Sequence, residues 1–160
     1  MNKVNGKKTS FAPIREDGSR ITICYGLKKL SGKLYEWLEV YLPKKQLSAL
    51  TLADVKAAII SDIDERIKAQ IIGGMVWNDK PVWLSIENQL NFNNATAPVT
   101  LKIGEQEDGT PVYHTFETQQ DIAEFCTACT QWTQQQRESG WQEKDGIDWA
   151  PYEALFPTNE

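Results

Sequence analysis

Two of the three cysteines, Cys126 and Cys129, are separated by two residues, a spacing found in zinc sites and in redox centres. With Cys24 and the single histidine, His114, they would provide one Cys3His zinc site that uses every soft ligand in the chain. The pair, however, falls in the middle of a predicted helix and on its apolar face, whereas a redox pair needs a helix N-terminus to lower the thiol pKa. We therefore predict buried structural cysteines, no metal site and no cofactor.

Three carboxylates, those of Asp62, Asp64 and Glu65, lie close together in another predicted helix. At about 100° per residue, Asp62 and Asp64 fall on opposite borders of the apolar arc of that helix and cannot converge on one metal ion. Asp62 and Arg66 have the i, i+4 spacing of a helical ion pair. We expect the cluster to be a solvated helix face.

The sequence shows no serine or cysteine motif in which the single histidine could act as the base of a nucleophile. His114 alternates with Val112 and Phe116 in a predicted strand, which favours a half-buried, hydrogen-bonded imidazole. The sequence contains no G-x-S-x-G, H-E-x-x-H, P-loop or G-x-G-x-x-G motif. Because an active site needs titratable groups that converge, and the sequence shows none, we predict that the protein is not an enzyme and has no catalytic residue.

The chain has six tryptophans, which is more than a core of this size needs. Trp37 and Tyr41 share one face of a predicted strand, and Trp77 and Trp83 flank one predicted turn. Such aromatic side chains either complete the core or mediate contacts with protein or glycan. Together with three N-terminal lysines they form the candidate interaction surface, which comprises Trp37, Tyr41, Trp77, Trp83, Lys3, Lys7 and Lys8.

Apolar periodicity predicts the elements that must position these residues. Three pairs of segments have the pattern of β-hairpins: 20–25 with 34–42, 75–77 with 82–84, and 99–103 with 112–116. Three segments have helical periodicity with start and stop signals: Thr51 to the Gly73-Gly74 pair, Ser85 to Ala95, and Thr118 to Gly140. Antiparallel β-hairpins that alternate with three helices, in the order ββ-α-ββ-α-ββ-α, predict an α+β fold in a single domain.

Charge is unevenly distributed along the 160 residues, whose net charge is −5. Residues 1–80 carry 14 Lys and Arg against 9 Asp and Glu, whereas residues 81–160 carry 3 against 13. This asymmetry predicts either two faces of opposite charge or a basic arm on an acidic body. We predict a flexible basic N-terminal arm over residues 1–19, solvated or ordered by a partner, a single α+β domain over residues 20–156, and a tail over residues 157–160.

Composition also argues against several classes of partner. An acidic body would repel phosphate, so we expect no nucleic-acid partner. No run approaches about 18 apolar residues, so we expect no membrane span. The polar N-terminus lacks the apolar stretch of a secretory signal, an odd number of cysteines favours a reducing cytosol, and no small-molecule substrate is evident.

The segment Trp77–Gln89, with the sequence WNDKPVWLSIENQ, resembles a family of uncharacterised proteins encoded by phages and prophages of gut Bacteroidetes. More distantly, it resembles a domain of unknown function found in phage tail-region proteins. The resemblance continues through Tyr35-Glu36-Trp37, Pro111-Val112-Tyr113 and residues 140–149, and it covers residues 20–153. The chain departs from the family at Asp79, where glycine is usual, and after Phe92, where the segment is shorter.

This resemblance implies a phage context and carries over no catalytic residue. It predicts a non-enzymatic, virion-associated structural component of the tail region that acts through protein–protein contacts. The alternative is a soluble tail-assembly accessory or chaperone that is absent from the mature particle. The expected partners are other phage structural or assembly proteins, or further copies of the chain itself in a homo-oligomer. The expected location is the host cytoplasm during synthesis, with the virion as the final site of a structural component.

Overall fold

The computed structural model describes residues 2–43 and 49–156, and within them the chain is an α+β protein with antiparallel sheets. The strands are β1 Asn2–Lys7, β2 Ile14–Asp17, β3 Arg20–Ser31, β4 Leu34–Pro43, β5 Met75–Trp77, β6 Lys80–Val82, β7 Val99–Glu105 and β8 Pro111–Phe116. The helices are α1 Leu52–Gly73, α2 Ile86–Asn93, α3 Gln119–Asp145 and the short α4 Ala150–Glu153. The predicted α+β class, with hairpins alternating with helices, is confirmed.

The chain divides into two compact units, with the boundaries inside α1 and α3. The first unit contains the described residues up to Asp64 together with those from Gln142 onward, and the second is Glu65–Trp141. The single domain over residues 20–156 stays a prediction. The tail predicted over residues 157–160 lies outside the described residues.

The first unit is built on a four-stranded antiparallel sheet with the strand order β1-β4-β3-β2. This sheet corrects the flexible arm predicted over residues 1–19, because Asn2–Lys7 pairs with β4 and Ile14–Asp17 pairs with β3. The sequence of β1, Asn-Lys-Val-Asn-Gly-Lys, has almost no apolar alternation. Its strand conformation therefore comes from hydrogen bonding to β4 rather than from its own pattern.

β3 extends beyond the strand predicted to end at Tyr25 and continues to Ser31. Its pairing with β4 shifts register after Tyr25, next to Gly26, which has a φ of 66°. A β-bulge of this kind accommodates a glycine with positive φ and lets the strand continue. The connection between β3 and β4 is therefore shorter than the gap between the two predicted strands, and it consists of Gly32 and Lys33.

The two faces of this sheet differ sharply in chemistry. On one face Ile21 and Ile23 are fully buried, and the Tyr25 hydroxyl on the same face donates to Asp62 of α1 at 2.5 Å. On the other face β3 carries Thr22 and Cys24, which are equally buried. Because alternate residues point to opposite faces, one strand contributes both to an apolar core and to a buried polar layer.

α1 begins with a reciprocal capping box at Thr51, where the sequence predicts the start of the helix. The Thr51 hydroxyl accepts from the Asp54 amide at 3.2 Å, and the Asp54 carboxylate accepts from the Thr51 amide at 2.9 Å. Asp therefore takes the role that Glu or Gln has in the usual motif. The helix ends at Gly73, within the predicted glycine pair. In the described part of the chain no helix is long and apolar enough to cross a bilayer.

The second unit contains two hairpins, β5–β6 and β7–β8. Asn78 and Asp79 turn the first hairpin with φ values of 47° and 59°, as a two-residue type I′ turn requires. The return strand is Lys80–Val82 rather than the predicted 82–84, because the turn takes only two residues. Gly104 permits a close approach of β7 to β6, since a Cβ there would overlap the carbonyl oxygen of Pro81.

The hairpins pack with α2 and α3 around a core of aromatic rings. Phe125 is fully buried, and its ring centroid lies 4.8 Å from that of Trp77, 5.0 Å from Phe92 and 5.2 Å from Phe116. Ten buried residues form this core: Met75, Val82, Leu84, Phe92, Ile103, Val112, Phe116, Ile122, Phe125 and Cys129.

α3 passes through Gly140, where the sequence predicted its end. Gly140 is buried, and a Cβ at this position would lie 2.8 Å from Cγ1 of Ile67. The glycine is therefore used for close packing against α1 and not for termination. Glycine is frequent at the ends of helices, so the sequence predicted an end here. The sequence does not show that a residue of another helix packs against this position and requires a small side chain.

Replacing Gly140 with alanine reverses the usual order of helix propensity. In an open helical position Gly→Ala stabilises by about 1 kcal/mol. At Gly140 we expect a net loss of about 1 kcal/mol, because the added methyl group must displace Ile67. Urea unfolding followed by circular dichroism measures this difference. The control is Gly73→Ala, whose Cβ meets nothing within 4 Å and which should not destabilise. A Gly140→Ala variant as stable as the native protein would contradict this account of the packing.

Candidate functional site

The structure does not bring the four predicted aromatic residues to one exposed surface. Trp37 is buried at 3% exposure and Tyr41 is partly buried, both in the first unit. Trp77 is partly buried and packs on the core of the second unit. Only Trp83 of the four is exposed, at 46%. The expectation of a shared aromatic surface is therefore corrected, because three of the rings are used for internal packing.

Trp37 and Tyr41 serve a buried carboxylate. Glu39, between them on the same face of β4, is only 4% exposed. Its carboxylate accepts from the Trp37 indole at 3.1 Å, from the Tyr41 hydroxyl at 3.0 Å and from the Arg15 guanidinium at 2.7 Å. The sequence alternation placed Trp37, Glu39 and Tyr41 on one face, but the cation from β2 has no local sequence signal.

The Arg15 guanidinium joins this carboxylate to a second one. Its Nε donates to Asp17 at 2.9 Å, and a further nitrogen lies 3.3 Å from the sulfur of Cys24. Asp17 also accepts from the hydroxyl of Thr22, which is fully buried, at 2.6 Å. These contacts make a connected polar network across β2, β3 and β4. A buried network whose members are all hydrogen-bonded rigidifies a sheet instead of destabilising it.

The network keeps both carboxylates ionised. Burial tends to raise the pKa of Glu39, but hydrogen bonds from Trp37, Arg15 and Tyr41 together hold that pKa below its usual value. The pKa of Asp17 is lowered first by the hydrogen bond from Thr22 and then by that from Arg15. Their oxygens are engaged within the protein, so this cluster is structural.

Replacing Glu39 with glutamine should destabilise the protein by about 2 kcal/mol at pH 7, because it removes the buried partner of the Arg15 charge. The folded-state pKa of Glu39 lies below its unfolded value, so this stabilisation is present above the unfolded pKa and is lost as pH falls through the folded pKa. Urea unfolding at pH 7 and at pH 3 measures both effects, and the difference between the variant and the native protein should shrink at pH 3.

The matched control is Glu36→Gln on the same strand. Glu36 pairs at 2.7 Å with Lys3, whose side chain is more than half exposed, and such pairs contribute about 0–1 kcal/mol. A loss at Glu39 no larger than the loss at Glu36 would show that the network contributes little to stability.

Cys126 and Cys129 lie among apolar side chains, whereas Cys24 lies in the polar network beside Arg15. Cys24 and Cys129 are buried, and Cys126 is partly buried against the second core. Burial raises the pKa of Cys24 to about 11 and that of Cys129 to about 12, so both thiols are protonated at neutral pH. Among the described residues, no group of three or more His, Cys, Asp or Glu is arranged to hold a metal ion.

His114 and the carboxylates of α1 have ordinary internal partners. The Nδ1 atom of His114 lies 3.2 Å from Nζ of Lys80, and burial, followed by the Lys80 charge, lowers the pKa of the imidazole. Asp62 accepts from the Tyr25 hydroxyl, and Asp64 pairs with Lys144. The two carboxylates thus serve separate contacts and do not converge, as the helical spacing predicted.

Chemical labelling tests the state of the three thiols. In the folded protein at pH 7.5, Cys24 and Cys129 should not react with Ellman's reagent, because they are buried and protonated. A Cys126→Ser variant should therefore show no labelling when folded and two reactive thiols in denaturant. Rapid labelling of this variant in the folded state would contradict the assigned burial.

One cavity of about 450 Å³ lies in the first unit, with Phe11, Tyr25 and Tyr152 among its lining residues. Two polar groups of its lining have internal partners. The Tyr152 hydroxyl donates to the backbone oxygen of Cys24 at 2.5 Å, and Asp148 accepts from the Ala150 amide at 3.1 Å. The exposed wall of the cavity is more apolar than polar.

The second unit exposes apolar side chains that the sequence analysis did not single out. Ile86 and Leu90 of α2 are 80% and 58% exposed, and their i, i+4 spacing places them on one face of the helix. The same helix buries Phe92. The sequence signal for this surface was an apolar i, i+4 pair close to a third apolar residue, Phe92. Sequence alone, however, does not show which of the two apolar faces of the helix packs on the core and which is exposed.

α2 holds this face in a fixed orientation. The Ser85 hydroxyl caps the helix by accepting from the Asn88 amide at 3.2 Å. The Asn88 and Gln89 side chains donate to the backbone oxygens of Trp83 and Leu84, at 2.8 and 2.7 Å. The exposed Trp83 therefore belongs to the segment that anchors α2. We call Trp83, Ile86 and Leu90 the α2 surface.

The predicted lysines have two different environments. Lys3 forms the ion pair with Glu36. Lys7 and Lys8 instead line a groove at the end of the first sheet, together with Lys33. The structure thus separates Lys3 from the other two and adds a lysine that the sequence analysis did not include.

No protein-family model, no curated protein and no solved structure matches this chain. The likeness of the segment around Trp77–Gln89 to phage proteins consequently stays a prediction.

Proposed function

We propose that this chain is a non-enzymatic structural component of a phage or prophage tail region, and that it acts through protein–protein contacts made by the α2 surface. The observation that supports this proposal is the exposure of Ile86 and Leu90 on a helix whose orientation is fixed by its cap. The phage context comes from sequence resemblance, and the segment that carries it, Trp77–Gln89, includes Trp83 and Ile86.

A partner that covers such a surface removes its apolar side chains from water, which stabilises the complex. Covering a fully exposed Ile or Leu side chain stabilises a complex by about 1.5–3 kcal/mol. Binding energy in interfaces concentrates on a few large side chains, tryptophan above all, and rigid presentation lowers the entropy lost on association. The α2 surface has these properties and fits a partner with an apolar groove that accepts one helix face. We assign that groove to another structural protein of the tail.

Analysis of purified particles tests this function. In a phage that encodes the chain, mass spectrometry should find the native protein in stoichiometric amounts in the particle. The double variant Ile86→Gln and Leu90→Gln should be depleted at least about tenfold, because it removes apolar contacts that are exposed in the free protein. Thermal unfolding of the isolated variant should match that of the native protein.

The control variant is Leu155→Gln, which removes a side chain of 52% exposure in the first unit and should leave incorporation unchanged. If the native protein is absent from particles but bound to tail assembly intermediates, its role is that of an assembly accessory or chaperone and not of a structural component. Equal incorporation of the native protein and the α2 double variant would contradict the role of the α2 surface.

A further inference from the structure

A second surface, chemically unlike the α2 surface, lies at one end of the first sheet. A groove of about 240 Å³ opens there. Its lining residues are Lys7, Lys8, Thr9, Gly32, Lys33 and Tyr35. Three of these six residues carry a positive charge, and none carries a negative one.

The strand pairing explains why lysines that are far apart in the sequence line the same groove. β1 runs antiparallel to β4, with Lys7 opposite Leu34. Leu34 also pairs with Ser31 across the turn of the β3–β4 hairpin, where Gly32 has a φ of 52°. A two-residue turn with glycine first is a tight hairpin connection, and it places Lys33 beside the end of β1. Lys8 then begins a 3-10 turn that carries Thr9.

Positive charge accumulates around this groove. Lys28 and Lys29 pair with Glu36 and Tyr35 in β4, so they lie near the same end of the sheet. In the part of the chain that the structure describes, Glu36 is paired with Lys3, and no carboxylate lies within ion-pair distance of Lys7, Lys8 or Lys33. Like charges held this close repel one another, and a bound anion relieves that repulsion.

We propose that this groove binds a tetrahedral oxyanion, the phosphate or sulfate group of a small ligand. Lysine ammonium groups are strongly hydrated point charges that bind such groups from several directions. The Thr9 hydroxyl adds a neutral donor, and the Tyr35 ring offers an apolar wall to the part of the ligand that carries the oxyanion. The site shares no residue with the α2 surface and goes beyond the function proposed above.

Titration with matched sugar esters tests the site. The full-length protein is titrated with glucose 6-phosphate, glucose 6-sulfate and unmodified glucose, at an ionic strength of about 0.15 M so that diffuse surface charge is screened. Saturable binding of one or both esters, and none of glucose, is expected, with amide NMR shifts concentrated at residues 7–9 and 32–35. Binding of the phosphate ester alone or the sulfate ester alone identifies the preferred oxyanion.

The variant Lys8→Gln with Lys33→Gln should weaken binding at least about tenfold, because it removes two of the three charges that line the groove. The control is Lys68→Gln with Lys102→Gln, which makes the same change in net charge at exposed positions of the second unit. The proposal is overturned if no ester binds saturably, or if the control variant loses as much affinity as the groove variant. Neither result depends on the α2 surface, so failure here is distinguishable from failure of the proposed function.

Discussion

A carboxylate that has lost almost all of its contact with water stays ionised only if protein groups replace that water. Glu39 meets this condition with donors from its own strand and a guanidinium from β2. The first sheet depends on this arrangement, because Arg15 links β2 to β4 and because Trp37, one of the donors, packs under the beginning of the chain. A Cβ at Gly6 would lie 2.6 Å from the Trp37 ring, and Phe11 packs edge-on against that ring at 6.0 Å.

Because polar and aromatic groups are used inside the protein, the high tryptophan content does not indicate an aromatic interaction surface. An excess of tryptophan suggested an aromatic interaction surface, yet Trp37 serves a hydrogen-bond network and Trp77 serves a core. The two surfaces that we propose for partners are smaller and chemically distinct. One is the apolar α2 surface, and the other is the lysine groove. An apolar face and a cationic groove recognise different ligands, so each is assigned its own role.

In the second unit, two elements approach a neighbour so closely that only glycine fits at the point of contact. Gly104 lets β7 pass the Pro81 carbonyl, and Gly140 lets α3 pack against Ile67. Glycine is costly inside strands and helices because it loses the most conformational entropy on folding. Its presence at these two buried positions is explained by the neighbours that leave no space for a Cβ.

Local patterns in the sequence determined the α+β class, the three predicted hairpins, the capping box at Thr51 and the shared face of Trp37, Glu39 and Tyr41. They could do so because periods of 2 and 3.6 residues and capping signals act between residues close in the chain. Tertiary structure alone decided that β1 joins the sheet, that Arg15 reaches Glu39, that Gly140 continues a helix and that Lys7 and Lys33 line one groove. Each of these outcomes joins residues that are distant in sequence, and the free energy of such a contact depends on a partner that no local pattern specifies.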